Sequence, residues 1–321
     1  MMIRQLLPVL LAILLTGCSS PDRKLLNQAD SIIREHPDSA MTILKGIDRH
    51  RLHGDDLAFY ALLYTQAQVE SGIPVSSDSL MSIAYEKYGD KRGDKGIRSN
   101  FYLGEVYYQE GEQGAGGLKI LLKGFKESNW GGAKPLRYYL KAYDEAKRLD
   151  NDYWHARAAK RIRLHFCWVG DYYEGERYAR EEIVYFKKAG RERDHRLAII
   201  DHAALYETQR NFDLERVVLD SLRAVLLKEE PIDSVLLGRI DYEFRHMEDA
   251  MEKLKKKGYK FLSDEEMEDF IDHDMEGLFD KLEGYGGAIW PSKYDRDLKT
   301  EITETRRDYY AEITQQNAAN A

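Results

Sequence analysis

The sequence is poor in cysteine and proline, and both scarcities exclude classes of protein. Only two cysteines and seven prolines occur among 321 residues, so neither a disulfide-rich scaffold nor a proline-rich linker fits. After Cys18 there is no apolar run of the roughly 20 residues that a membrane-spanning helix needs. A formal charge of −8 argues against nucleic acid as the main partner, because an acidic surface repels a polyanion.

The residues that are abundant indicate a folded chain with many aromatic contacts. Hydrophobic residues make up 43% and charged residues 32% of the chain, a balance typical of proteins with a substantial core. There are 22 tyrosines but only 10 phenylalanines. Because a tyrosine ring is apolar and its hydroxyl group is polar, this excess predicts many half-buried aromatic positions.

The first twenty residues predict a targeting segment. Arg4 supplies a positive start, and Leu6–Leu15 form an apolar run that is too short to span a bilayer. The next residues complete the sequence Leu15-Thr16-Gly17-Cys18, which resembles the bacterial lipobox. This resemblance implies cleavage by signal peptidase II between Gly17 and Cys18, followed by acylation of Cys18.

Acylation would attach the mature chain to a membrane through its N-terminus. Several acyl chains anchor a protein stably, since each buried CH₂ contributes about 0.8 kcal/mol. Ser19 stands where many proteobacterial lipoproteins retained at the inner membrane have aspartate, which favours the outer membrane. Two orientations stay open, with the body in the periplasm or on the outer face. The predicted segments are a signal peptide at 1–17 and an acylated tether at 18–24.

Hydrophobic periodicity predicts an all-α body. Apolar residues at the start of the body recur every three or four positions, the spacing of one helix face: Leu25, Leu26, Ala29, Ile32 and Ile33. Pro37 is expected to end this helix, and Asp38 or Ser39 to cap the next one. No proline occurs between Pro135 and Pro231, which leaves room for several long helices.

A helix-pair repeat emerges when distant segments are compared. The segments that align are 60–67, 100–107, 159–166 and 199–206. In two of them a small residue precedes an aromatic one by about one turn, as Gly104 precedes Tyr107 and Ala203 precedes Tyr206. A small residue lets the neighbouring helix approach, and the aromatic ring fills the groove between the helices.

This pattern resembles the tetratricopeptide-repeat (TPR) family, whose fold is a right-handed α-solenoid of stacked antiparallel helix pairs. The resemblance covers 25–230 and includes a close match at the turn Gly170-Asp171-Tyr172. Arg163 occupies a position where the family has a small residue, so its helix pair is expected to be irregular. A glycine-rich insertion at 111–132 interrupts the repeats, and less regular C-terminal helices are predicted at 231–321, including 235–257 and 295–314.

A narrower resemblance is to the TPR lipoproteins common in Bacteroides and its relatives. The residues that carry it are Ala29–Ile32, His36–Ala40, Tyr60–Ala67, Ser77–Leu80 and Tyr102–Gly104. It implies a noncatalytic scaffold, anchored in the envelope by lipid, that binds a protein or peptide. One alternative is a helical glycan- or small-ligand-binding lipoprotein of the starch-utilisation type. A second alternative is the sensor component of an envelope signalling pathway.

The TPR resemblance also implies candidate binding residues, because the first helix of each pair lines a concave groove in that family. Carried over position by position, the groove residues are Thr65, Gln68, Arg98, Glu105, Tyr108, Arg157 and Lys160. Arg98, Arg157 and Lys160 are predicted to clamp a carboxylate of the partner, since guanidinium groups bind carboxylates in two-pronged fashion. An ordinary charged helix surface is the alternative interpretation.

No sequence motif predicts catalysis, a metal or a cofactor. The side chains of Asp272-His273-Asp274 and Glu276 do not converge on a helix, because adjacent residues point in different directions. The segment Gly114–Lys119 lacks the Gly-Lys-Ser/Thr of a phosphate loop. Cys167, the one free thiol of an acylated chain, is expected to be a small core residue. We therefore expect no enzyme activity, no metal, no cofactor and no nucleic-acid partner.

Overall fold

A computed structural model of the chain describes residues 21–114, 134–168 and 170–258, together with Arg307 and Ala311. The predicted signal peptide, Cys18, most of the glycine-rich insertion and nearly all of the predicted helix at 295–314 lie outside the described residues. Within the described ranges there are eleven α-helices, one short 3-10 helix and no strand. The prediction of an all-α protein is confirmed.

Contacts divide the chain into two compact units, Met1–Pro135 (unit 1) and Leu136–Ala321 (unit 2). The division falls inside the segment 25–230 that the sequence assigns to one repeat domain. It lies just after the predicted glycine-rich insertion at 111–132.

The described part of unit 1 contains five α-helices and a 3-10 turn at Arg49–Arg51. The helices are α1 (Pro21–Ile32), α2 (Pro37–Lys45), α3 (Gly54–Glu70), α4 (Ser79–Tyr88) and α5 (Asp94–Gly114). Each helix packs against the next, and α3 also contacts both α1 and α5. Leu26, Ile33, Leu44 and Leu63 are among the fully buried residues of its core.

Two boundaries in unit 1 differ from the sequence predictions. The residue before α2 is His36, and Pro37 is the first helical residue, so the expected cap at Asp38 or Ser39 is wrong. Proline suits the first helical position because its missing N–H group would have no partner there. The last turn of α5 continues to Gly114, into the predicted insertion.

Unit 2 contains the longer run of helices. They are α6 (Lys134–Arg148, which starts at the unit boundary), α7 (Asp152–Trp168), α8 (Tyr172–Lys188), α9 (Glu192–Thr208), α10 (Phe212–Leu226) and α11 (Ser234–Lys255). From α7 onward each helix packs against the next, and α9 also contacts α11. The helix predicted at 235–257 is confirmed as α11, and its Leu236 and Ile240 belong to the same core as Ile200 and Leu219.

One capping geometry recurs at four successive helix ends of unit 2. A residue with positive φ stands every twenty positions, at Asp150, Gly170, Gly190 and Arg210. The amide of the following residue donates to a carbonyl five residues back in each case, over 2.8–3.0 Å. This is the bond of the Schellman cap, which satisfies carbonyl groups at a helix C-terminus. Because these turns recur every twenty residues, helices α7 to α10 also begin twenty residues apart.

The positions that the repeat pattern assigns to packing are mostly buried. Tyr139, Phe166 and Ala203 are fully buried, and Tyr206 is nearly so. Tyr107 is only half-buried, and its hydroxyl donates to the Asp78 carboxylate over 3.3 Å. The tyrosine excess of the composition therefore serves packing in part.

Candidate functional site

Arg163, the residue that departs from the repeat pattern, forms buried ion pairs in unit 2. Its helix α7 is continuous through this position, and the side chain is only 3% exposed. Nε donates to Glu182 of α8 over 2.9 Å, and Nη2 donates to Asp201 of α9 over 3.0 Å. Two carboxylates from the next two helices thus compensate a charge placed where the family has a small residue.

Two further cations join the same carboxylates. Lys160 Nζ lies 3.3 Å from Asp201 and 3.7 Å from Glu182. Arg239 of α11 lies 3.7 Å from Asp201 and 2.7 Å from Glu243. We call these six residues the charge cluster: Lys160, Arg163, Glu182, Asp201, Arg239 and Glu243. It joins four helices and contains three cations and three carboxylates.

Exposure differs sharply between the members of the charge cluster. The side chains of Glu182 and Glu243 are 1% and 5% exposed, whereas those of Lys160 and Arg239 are 36% and 42% exposed. Asp201 lies between these groups, with 21% of its side chain exposed. Lys160 and Arg239 are therefore exposed to solvent beside the partly exposed carboxylate of Asp201, whereas the carboxylates of Glu182 and Glu243 are buried.

The pKa shifts of the cluster follow from burial and pairing. Burial alone would lower the pKa of Arg163, but Glu182 and Asp201 outweigh burial and raise it. Burial raises the pKa of Glu182 despite the nearby cations. Burial would also raise the pKa of Asp201, yet Lys160 and Arg163 more than offset that effect and lower it. Asp201 is thus the carboxylate that the cluster keeps ionised most firmly.

Aromatic side chains flank the exposed cations. Tyr242 follows Arg239 by three residues on α11 and is 49% exposed, and its ring centroid lies 5.3 Å from the Arg239 guanidinium. On α7, the Arg157 guanidinium lies 5.1 Å from the Trp154 ring. We call the partly exposed residues Lys160, Asp201, Arg239 and Tyr242 the cationic face.

The predicted groove residues of unit 1 are mostly internal. Arg98 is 5% exposed, and its guanidinium donates to Asp30 over 2.7 Å and to Gln66 over 2.9 Å. Thr65 and Glu105 are also buried. Of the five predicted residues in this unit, only Gln68 and Tyr108 keep part of their side chains at the surface.

The two predicted groove residues of unit 2 lie one turn apart on α7. Lys160 belongs to the charge cluster, whereas Arg157 lies against Trp154 and also 5.8 Å from the Tyr153 ring. Arg98 lies in unit 1, where its partners come from the same unit. Arg98, Arg157 and Lys160, the residues predicted to clamp a carboxylate, therefore lie in three different environments.

Sequence reasoning missed four members of the cluster: Glu182, Asp201, Arg239 and Glu243. A signal for two of them is present, because Arg163 and Asp201 are 38 positions apart and the same interval separates Asp201 from Arg239. Residues one repeat apart lie at equivalent positions of stacked helices. Opposite charges at this spacing are therefore expected to pair.

Other candidate chemistry finds little support in the part of the chain that the structure describes. Within it, no group of three or more His, Cys, Asp or Glu side chains is arranged to hold a metal ion. No helix in the same ranges combines the length and the apolar character that crossing a bilayer requires. Cys167, expected in the core, keeps part of its surface exposed. Burial of its thiol nevertheless raises the pKa to about 11, so at neutral pH it is a poor nucleophile. The acidic segment 272–276 lies outside the described residues.

The described residues form an all-helical protein in which each helix of a long run packs against its neighbours. Unit 2 of this protein carries the cationic face. No protein-family model, no curated protein and no solved structure matches the chain. Its function must therefore be inferred from the residues themselves.

Proposed function

We propose that the protein is a lipid-anchored, TPR-like scaffold of the bacterial envelope that binds a protein or peptide without catalysis. The order of helix contacts supports a solenoid, because within α1–α5 and within α7–α11 each helix packs on the next, while α3 contacts α1 and α5, and α9 contacts α11. Short connections reverse the chain between packed neighbours, which makes each pair antiparallel. Stacked pairs of this kind offer an extended surface for a partner.

The observation that carries the proposal is the exposure of Lys160 and Arg239 beside Asp201. An ammonium group has three N–H donors and a guanidinium group has five. The neighbouring carboxylates engage only the donors that point toward them. Donors on the solvent side are therefore available to an incoming carboxylate of a peptide or protein. The buried carboxylates beneath hold the two cations in place before the ligand arrives, which lowers the entropic cost of binding.

Tyr242 supports recognition of a peptide at the same face. A tyrosine side chain offers a large contact area and a hydroxyl group at a low cost in conformational entropy. Its ring lies next to Arg239, so one ligand can contact both residues.

The lipobox-like sequence Leu15–Cys18 supports the anchor, and Ser19 favours its placement at the outer membrane. Cys18→Ser is expected to abolish labelling of the protein with radioactive palmitate and to leave the precursor uncleaved. Cys167→Ser is the matched control, since it removes the other thiol and should leave labelling unchanged. Labelling that persists in Cys18→Ser would contradict the anchor.

The binding proposal is tested with the double variant Lys160→Gln/Arg239→Gln. A partner is first identified by crosslinking in native membranes, and its affinity for the purified full chain is then measured. We expect the variant to bind about tenfold or more weakly, because two charge-assisted contacts are removed. Lys187→Gln/Lys188→Gln removes the same charge from exposed positions of α8 and should bind normally.

Circular dichroism of both variants shows whether they keep their helices. Equal affinity of the wild type and Lys160→Gln/Arg239→Gln, with folding intact, would refute the assignment of the cationic face. A ligand that proves to be a glycan, bound through the same face, would favour the starch-utilisation alternative over peptide binding.

A further inference from the structure

Where α9, α10 and α11 pack on one another, three carboxylates, one from each helix, lie close enough to interact electrostatically. They are Glu207 of α9, Glu215 of α10 and Glu243 of α11. As whole residues, Glu215 is 0% exposed and Glu243 is 4% exposed, while the Glu207 side chain reaches the surface in part. Carboxylates that face one another from three helices repel when all are ionised.

Two of the three carboxylates lie against a nitrogen atom of a basic residue. Glu207 lies 2.7 Å from Nδ1 of His246, and Glu243 lies 2.7 Å from the Arg239 guanidinium. Glu215 differs, because among the residues that the structure describes neither of its carboxylate oxygens has a hydrogen-bond partner. Among the described residues, Glu215 is therefore the one carboxyl group of this junction without a basic partner.

The remaining charged groups near the junction do not compensate Glu215. Asp201 of α9 acts on Glu243 and adds negative charge. On α10 itself, Arg216 acts on Asp213, whose pKa is nevertheless raised by burial. Each element packed around Glu215 thus brings its own acidic group.

Burying an unpaired carboxylate ion costs so much free energy that the group takes up a proton instead. Burial, followed by repulsion from Glu207 and Glu243, raises the pKa of Glu215 to about 8. A protonated carboxyl group carries no charge and adds no repulsion to the junction.

We propose that Glu215 is a proton-dependent latch: its neutral carboxyl group lets α9, α10 and α11 close on one another, and its ionisation loosens α10 from both neighbours. The feature is a conformational device of unit 2. It concerns the packing of these helices and holds whichever ligand the protein binds, so it stands or falls separately from the proposed function.

The direction of the pH effect follows from proton linkage. The pKa of Glu215 is higher in the folded chain, about 8, than its ordinary value of 4.5. The folded state therefore holds the proton more tightly, and the contribution of Glu215 to stability is fully present below pH 4.5. As the pH rises from about 4.5 to about 8, the unfolding equilibrium constant increases by up to about tenfold for each pH unit. Above about pH 8 this contribution levels off.

Urea unfolding of the full chain between pH 5.5 and pH 9 tests the latch. The ratio of the wild-type unfolding constant to that of Glu215→Gln is expected to rise about fiftyfold between pH 6 and pH 8. Glutamine has the shape of the neutral acid but cannot ionise. Glu252→Gln, at an exposed position of α11, is the matched control and should follow the wild type. A constant ratio between the wild type and Glu215→Gln would overturn the proposal.

A second measurement needs only the wild type and remains decisive if Glu215→Gln does not fold. Amide hydrogen exchange in α10, corrected for the intrinsic pH dependence of exchange, is compared with that in α8. We expect the opening of α10 to become more frequent between pH 6 and pH 8 while α8 changes little. An equal change in both helices would overturn the proposal.

Discussion

The Arg163–Glu182 pair offers the sharpest test of how unit 2 is held together. Arg163→Met leaves the carboxylates of Glu182 and Asp201 without their closest cation. Because Arg163 and Glu182 are 3% and 1% exposed, water cannot replace the lost partner. Removing one member of such a buried pair is expected to lower the free energy of unfolding by about 3–5 kcal/mol. Glu182→Met should cost less, about 2–3 kcal/mol, because Asp201 still accepts from Arg163.

The double variant Arg163→Met/Glu182→Met removes both charges and fills the space with apolar side chains. We expect its cost to fall short of the sum of the single costs by about 2 kcal/mol, the coupling of two groups in direct contact. Urea unfolding followed by circular dichroism at 222 nm measures all four proteins. The control is the same cycle at Lys256 and Glu252, an exposed pair 2.7 Å apart at the C-terminal end of α11, where a coupling far smaller than that of the buried pair is expected. Additive costs at the buried pair would refute the reasoning.

Four further predictions concern glycines of the same unit and its Cys167. Gly190 has φ of +66° and, among described residues, no atom within 4 Å of an added Cβ, so Gly190→Ala should destabilise by about 1 kcal/mol through backbone strain alone. Gly238 is equally open but lies inside α11, so Gly238→Ala should raise the free energy of unfolding by about 0.5–1 kcal/mol. Urea unfolding in which the Gly190→Ala and Gly238→Ala variants change stability in the same direction would contradict this. An added Cβ at Gly175 would lie 2.7 Å from Cys167 Sγ, so Gly175→Ala should lower the melting temperature and Cys167→Ala should restore part of the loss. Alkylation of Cys167 by iodoacetamide at pH 7.5 should be about a hundredfold slower than for an ordinary thiol, because burial raises its pKa to about 11. A rate typical of free thiols would argue against this burial.

The sequence predicts the helices well because their signals are local. Apolar spacing, the Gly170 turn and the absence of proline between Pro135 and Pro231 act within one or two helical turns. These signals are sufficient for an all-α chain and for the position of α11. The cap before α2 was predicted wrongly because Pro37 itself can begin a helix.

The charge cluster was harder to predict because its contacts join distant segments. Arg163 stands where the repeat pattern has a small residue, and by itself it indicates only an irregular helix pair. Its role in the charge cluster follows only from its carboxylate partners on α8 and α9. Arg98 shows the opposite case, since repeat position alone suggests a ligand contact whereas Asp30 and Gln66 engage its guanidinium inside unit 1. Repeat position predicts which helix carries a residue, but burial depends on the side chains of neighbouring helices.

Glu215 was missed for the same reason. It falls in an ordinary amphipathic helix, and nothing nearby in the sequence distinguishes it from the exposed glutamates. Its burial, together with the approach of Glu207 and Glu243 from two other helices, makes its carboxyl group unusual.

Site-specific photo-crosslinking tests most directly the central claim that the cationic face binds a partner. A photoreactive phenylalanine derivative is placed at Tyr242, beside Arg239, and in a separate protein at Tyr173, which is 82% exposed on α8. Irradiation of cells that carry each protein should crosslink a defined partner from position 242 alone, and Lys160→Gln/Arg239→Gln should remove that product. The same products from both positions, or a partner captured only from position 173, would contradict the claim.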